Sequence, residues 1–201
     1  NPTVVSHNIV ANKNAGVAAG FAFKLTCAPD WDRCPVTLTE KSLTFANNIA
    51  YDWKGQAFGI EGNWPLGGSG IIERNQFRQF DAPQYLVNIQ NQPEPFAGFT
   101  LANNAYFNDP SATGWFRLGS SSFGFAAWAT LVSEGGSPAT APSFPDPERT
   151  IESYQQSLGL PASHDAFIAE ALRQSRFNWR EQFTAKAVNS YIRAGFGLTP
   201  P

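Results

Sequence analysis

Four segments of the chain share one hydrophobic pattern: apolar residues at period two, an Asn, then a second short apolar run. They are V-V-S-H-N-I-V (4–10), L-T-F-A-N-N-I-A-Y (43–51), I-I-E-R-N-Q-F (71–77) and F-T-L-A-N-N-A-Y-F (99–107). Their anchoring residues Asn8, Asn48, Asn75 and Asn104 are 40, 27 and 29 positions apart. A second short strand follows each segment: F-A-F-K-L (21–25), F-G-I-E (58–61), Y-L-V-N-I (85–89) and W-F-R-L (115–118). A unit of about 27 residues with three short strands and no helix cannot bury its apolar face alone, whereas stacked units can. Asn suits a recurrent corner because it tolerates the left-handed backbone. Its amide can also bond the same amide one unit above, giving an Asn ladder at Asn8, Asn48, Asn75 and Asn104.

The period changes toward the C-terminus. Gly135–Pro147 (GGSPATAPSFPDP) has four Pro and reads as a linker or wrapping segment. Beyond it, Ser163 is placed to cap a helix from His164 to about Phe177, with Phe167, Ile168, Ala171, Leu172 and Ser175 on one face. Thr184 is placed to cap a second helix ending near Ala194, with Gly195 beyond it, and a shorter helix is expected over 148–158. The organisation predicted is therefore stacked β-coils over 1–134, a Pro/Gly-rich linker over 135–147 and a helical cap over 148–201.

The repeated N-N corner and the strand after it resemble the right-handed parallel β-helix proteins of the pectate lyase-like superfamily, over about residues 3–132. The tail, with D-P-E-R-T, D-A-F-I-A-E-A and A-V-N-S-Y-I-R-A-G-F-G, resembles the C-terminal tail of some secreted bacterial β-helix proteins. The resemblance implies an all-β fold, a right-handed parallel β-helix solenoid closed by a small α-helical cap. An antiparallel sandwich would favour tight Asn-Gly or Asp-Gly hairpins, and neither dipeptide occurs. The chain opens inside a coil, so it is expected to be the C-terminal portion of a longer protein.

Composition narrows the partners. Charged residues make up only 15% of the 201, so disorder is not expected, and a net charge of −2 leaves no basic footprint for nucleic acid. No apolar run reaches the ~20 residues of a membrane span, and no membrane partner is expected. Cys27 and Cys34 flank a short polar loop that a disulfide can close, which places the protein outside the cytoplasm. No further Cys or spaced His completes a metal site, and no cofactor is implied.

In the resembled superfamily, substrate usually lies along one sheet and its flanking turn, here best matched by the second strand of each unit. If Phe23, Ile60, Val87 and Leu118 point inward, then Lys24, Glu61 and Asn88 fall on one side of them and Arg117 on the other. The preceding turns add Asp52, Trp53 and Lys54, then Arg78 and Asp81. Lys and Arg neutralise uronate carboxylates, Trp53 offers a flat face to a sugar ring, and Asp or Glu accepts hydroxyl hydrogen bonds. Lyase chemistry needs a base for a C5 proton and a cation to hold the carboxylate, for which Lys54 and Arg78 are the catalytic candidates. Lys24, Asp52, Trp53, Glu61, Asp81, Asn88 and Arg117 are the substrate-binding set. Hydrolysis would instead draw two carboxylates from Asp52, Glu61 and Asp81. The function expected is a secreted lyase or hydrolase acting on an acidic polysaccharide, against a non-catalytic adhesin, spike or scaffold module. Its partners are the polysaccharide and the remaining N-terminal coils.

Overall fold

The structure, a computed structural model, describes residues 3–11, 20–27, 42–53, 55–62, 69–79, 85–90, 98–109, 111–112 and 114–200. They form two units, Asn1–Pro142 and Ser143–Pro201.

The first unit is mostly β, built from three sheets of parallel strands. The first sheet holds β1 (Thr3–Ser6), β4 (Ser42–Ala46), β7 (Ser69–Glu73) and β10 (Phe99–Ala102). The second holds β2 (Ile9–Ala11), β5 (Ile49–Tyr51), β8 (Gln76–Arg78) and β11 (Ala105–Phe107). The third holds β3 (Phe21–Cys27), β6 (Gln56–Gly62), β9 (Val87–Ile89) and β12 (Phe116–Leu118), closed by an antiparallel strand, β13 (Ser121–Phe123). Each repeat gives one strand to each sheet, and strands pair between successive repeats. The repeat length therefore sets which side chains become neighbours.

The first sheet contributes Leu43, Phe45, Ile72 and Leu101 to the core, the second Ala50, Phe77 and Tyr106, and the third Phe58, Ile60, Val87, Ile89, Phe116 and Leu118. Like side chains stack repeat on repeat: Phe45 over Phe77 at 6.5 Å and Phe77 over Tyr106 at 5.6 Å. At the end of this core a short helix, α1 (Phe125–Leu131), lays Trp128 flat on Phe116 at 4.9 Å.

Between the first and second sheets the chain turns in two residues. The first of the two is left-handed: His7, Asn47, Arg74 and Asn103 have φ between 53° and 59°. The left-handed residue is thus the one before the anchoring Asn, which corrects the corner geometry expected above. The anchoring Asn turns its amide along the stack. Asn8 Nδ2 donates to Asn48 Oδ1 at 3.0 Å, Asn48 Nδ2 to Asn75 Oδ1 at 3.1 Å, and Asn75 Nδ2 to Asn104 Oδ1 at 2.9 Å. The other amide hydrogen of Asn48, Asn75 and Asn104 reaches the carbonyl of Val5, Phe45 and Ile72, each at 2.9 Å. Main-chain N–H groups of Asn8, Asn48 and Asn75 also donate to the next Oδ1.

All these amide dipoles point the same way, and the last donor meets a carboxylate. Asn104 Nδ2 donates to Glu134 Oε1 at 2.8 Å, as do Tyr106 Oη at 2.9 Å and Ser137 Oγ at 2.7 Å. Trp128 Nε1 donates to Glu134 Oε2 at 3.2 Å. Burial pushes the fully enclosed Tyr106 phenol well above its ordinary range, and the neighbouring Glu134 charge adds to that.

The Pro-rich segment is not a linker throughout. Gly135 O accepts from Asn103 N and Pro138 O from Tyr106 N, so 135–142 runs along the first unit before the boundary.

Among the described residues the second unit has a 3-10 turn at Glu181–Phe183 and three α-helices, α2 (Ile151–Ser157), α3 (His164–Leu172) and α4 (Ala185–Gly195). Thr150, Ser163 and Thr184 cap them, each accepting a main-chain N–H from the third residue onward. Tyr154, Phe167, Phe183 and Val188 form its core. α3 stops at Leu172, five residues short of the expected Phe177. The reason is local: Asn178 Oδ1 takes the N–H and hydroxyl of Ser175, giving the backbone an alternative to another helical turn. The expected face is also corrected. Phe167 is buried, but Ile168 is 40% and Leu172 81% exposed.

Candidate surface on the third sheet

The register of the third sheet determines which outward side chains meet. Phe23 pairs with Phe58, Phe58 with Val87 and Val87 with Phe116. One step on, Lys24 lies beside Gly59, Gly59 beside Asn88 and Asn88 beside Arg117. The sequence-based alignment of Phe23, Ile60, Val87 and Leu118 slips by two positions between repeats. Lys24, Asn88 and Arg117 consequently share one column rather than flanking an inward row. Glu61 pairs with Thr26, two positions beyond Gly59; its side chain lies outside the described residues.

The strand does not alternate strictly. Two consecutive residues of each repeat pack on the core: Ala22–Phe23, Ala57–Phe58, Leu86–Val87 and Trp115–Phe116. The outward residue before each pair is therefore three positions from the next outward one, giving a second outer row of Phe21, Gln56 and Tyr85. These lean diagonally over the first row. The Phe21 ring occupies the space over Gly59 where a Cβ would stand, so only glycine fits there. Gln56 Oε1 accepts from Asn88 Nδ2 at 2.5 Å. The Arg117 guanidinium lies over the Tyr85 ring at 5.9 Å, and Lys24 Nζ over Phe21 at 5.5 Å. Tyr85 Oη is 2.8 Å from Ser122 Oγ on β13, and Arg117 Nε donates to Gly119 O at 2.9 Å. Two cations, each beside an aromatic ring, thus stand three strand spacings apart, roughly 14 Å.

Compared with known proteins, the chain matches no family model, no curated protein and no solved structure.

Other predicted site residues fall elsewhere. Arg78 ends β8 in the second sheet, where its Nη1 donates to Pro142 O at 2.7 Å and its guanidinium faces the Tyr51 ring at 5.6 Å. It clasps the wrapping segment, which corrects its placement on one face with Arg117. Asn88 is not on an open surface either. It is fully buried, and its Oδ1 has no hydrogen-bond partner among the described residues. Asp52 is half-buried with φ 45°, at the turn leaving the second sheet. Trp53 is half-buried, its Nε1 donating to Gly20 O at 3.1 Å, so its indole edge is committed to the backbone. Lys54 and Asp81 lie outside the described residues, as does Cys34 and with it the Cys27–Cys34 pairing.

Phe21, Gln56 and Tyr85 were missed by sequence reasoning. Their signal was the pair of consecutive apolar residues inside each strand, which strict period-two reading treats as a single step.

Proposed function

We propose that the first unit is a stretch of right-handed parallel β-helix that binds an acidic polysaccharide along the outer face of its third sheet, outside the cytoplasm. The three parallel sheets and the amide-stacked corner support the first part of this reading. The observation that carries the second is the row Lys24–Gly59–Asn88–Arg117 overlain by Phe21 and Tyr85. Cations neutralise carboxylates, the guanidinium bidentately, while the rings supply apolar faces. The Asn88 amide between them is buried and donates to Gln56, so it holds the outer row in place rather than meeting the glycan.

The geometry favours binding over turnover, because Arg78 is committed to the wrapping segment and lies on a different sheet from Arg117. The test is an affinity panel of polygalacturonate, alginate and neutral glycans, with unsaturated-product absorbance followed in the same samples. Retention on the acidic glycans without absorbance supports the binding reading. Absorbance would restore the lyase, and retention on none would sink the proposal. Arg117→Ala should weaken acidic-glycan binding by about tenfold with little change in melting, since a charge-assisted contact is lost at a half-exposed position. The extracellular assignment predicts no titratable thiol in denatured, unreduced protein. Two thiols would refute the Cys27–Cys34 bond.

A further inference from the structure

The second unit displays a cluster of apolar side chains that the glycan reading does not use. Phe177 is 87% exposed, Leu172 81% and Trp179 66%. Ile168, one turn before Leu172 on α3, continues the same stripe. A floppy segment would fold such residues inward, but this one is held open. Asn178 Oδ1 accepts from Ser175 N at 2.6 Å and Ser175 Oγ at 2.8 Å, and Asn178 Nδ2 donates to Arg173 O at 3.0 Å. Gln174 pins the far side: its Nε2 donates to Phe183 O at 3.0 Å and its Oε1 accepts from Arg180 N at 2.7 Å. The turn therefore presents its aromatic residues on a fixed frame.

Basic side chains outnumber acidic ones along this turn. Arg173 and Arg180 share the single carboxylate Glu170, at 2.9 and 2.6 Å. Arg176 lies over the Phe177 ring at 5.2 Å and has no carboxylate partner among the described residues. Three arginines thus lie along the turn that carries the apolar residues, with Glu170 and Glu181 as the acids beside them.

We propose that this knob of Leu172, Phe177 and Trp179, with Arg173, Arg176 and Arg180 on the same turn, is a peripheral contact with an anionic lipid surface. Among the described residues no helix is long and apolar enough to cross a bilayer. An interfacial contact asks for something else: apolar side chains to enter the headgroup boundary and basic ones to meet lipid phosphates. The knob offers both on one fixed turn. A sugar platform fits less well, because aliphatic Leu172 is as exposed as the rings. The proposal concerns the second unit and is independent of the glycan reading.

The test is co-sedimentation of the full chain with vesicles of phosphatidylcholine and phosphatidylglycerol in equal parts, and with phosphatidylcholine alone. Pelleting is expected with the anionic vesicles only, and it should fall as salt is raised. The double variant F177A/W179A should lose more than about tenfold in partitioning, since two inserted rings are removed. R176Q, which leaves the turn's hydrogen bonds intact, should lose about fivefold. V4A, which alters another exposed apolar residue, is expected to pellet like the parent chain. The proposal is overturned if the parent chain stays in the supernatant, if both knob variants pellet unchanged, or if neutral vesicles serve as well. A vesicle-free dimer abolished by F177A/W179A would also overturn it, in favour of a protein interface.

Discussion

Asn75→Ala is expected to destabilise the first unit by about 4 kcal/mol, because it orphans buried polar groups worth about 1–3 kcal/mol each without full additivity. Asn75 is fully buried, and its Oδ1 accepts both the main-chain N–H and the Nδ2 of Asn48. Its own Nδ2 serves Phe45 O and Asn104 Oδ1. Alanine fills none of these roles. Urea titration should show the loss directly, and melting should fall by roughly 8–16 °C for a chain of this size. Asn8→Ala is the internal comparison. Asn8 is exposed at the start of the ladder, where water replaces what alanine removes, so its cost is expected near 1 kcal/mol or below. Equal losses at the two positions would mean that the ladder does not act as a buried network.

The ladder was the most legible feature of the chain, for a physical reason. A stack of parallel strands demands the same backbone corner in every repeat, and a corner needing a particular amide leaves that amide at a fixed place in the pattern. Its partner position was less legible. His7, Asn47, Arg74 and Asn103 share a left-handed backbone but not a side-chain type. Asn-Asn in two repeats drew attention to the wrong member of the pair. The helix caps Ser163 and Thr184 were legible because capping depends on one hydroxyl and the residues just after it.

The candidate surface was less legible because it depends on counting between repeats. The strand of the third sheet carries two successive residues against the core, so outward positions three apart fall on one face. Lys24 and Arg117 could be assigned to that sheet from sequence, but their alignment with Asn88 required the observed register. Arg78 shows the complementary error. It follows the ladder corner by three residues, which is the length of the second-sheet strand, so it closes that strand instead of opening the turn toward the third. Neither assignment was a matter of residue chemistry. The first turned on the register between repeats, the second on where one three-residue strand ends.

Glu134 lies beyond the last repeat, where no periodic signal could mark it. Glu134→Ala is expected to cost about 3 kcal/mol, since donors now served by one carboxylate would be left in or near the core. Asn104 Nδ2, Tyr106 Oη and Ser137 Oγ bond one oxygen, and Trp128 Nε1 the other. The ladder amides add to the effect. Each donates toward Glu134, so a negative charge at that end is favourably placed for the whole chain of dipoles. Glu134→Gln separates shape from charge. Its carbonyl can still accept from Asn104, but its amide nitrogen then faces the Trp128 N–H, donor against donor. An intermediate loss is expected, with a weakened contact between Trp128 and Phe116 visible in near-UV circular dichroism. Alkaline titration provides a second readout. Tyr106 is raised in the folded state, so the stability it contributes is fully present below the ordinary tyrosine range. It is lost as pH climbs from there through the raised value. In Glu134→Gln the charge contribution disappears and burial remains, so that loss should be smaller. An unchanged urea midpoint in Glu134→Ala would show that the ladder ends on solvent rather than on this carboxylate.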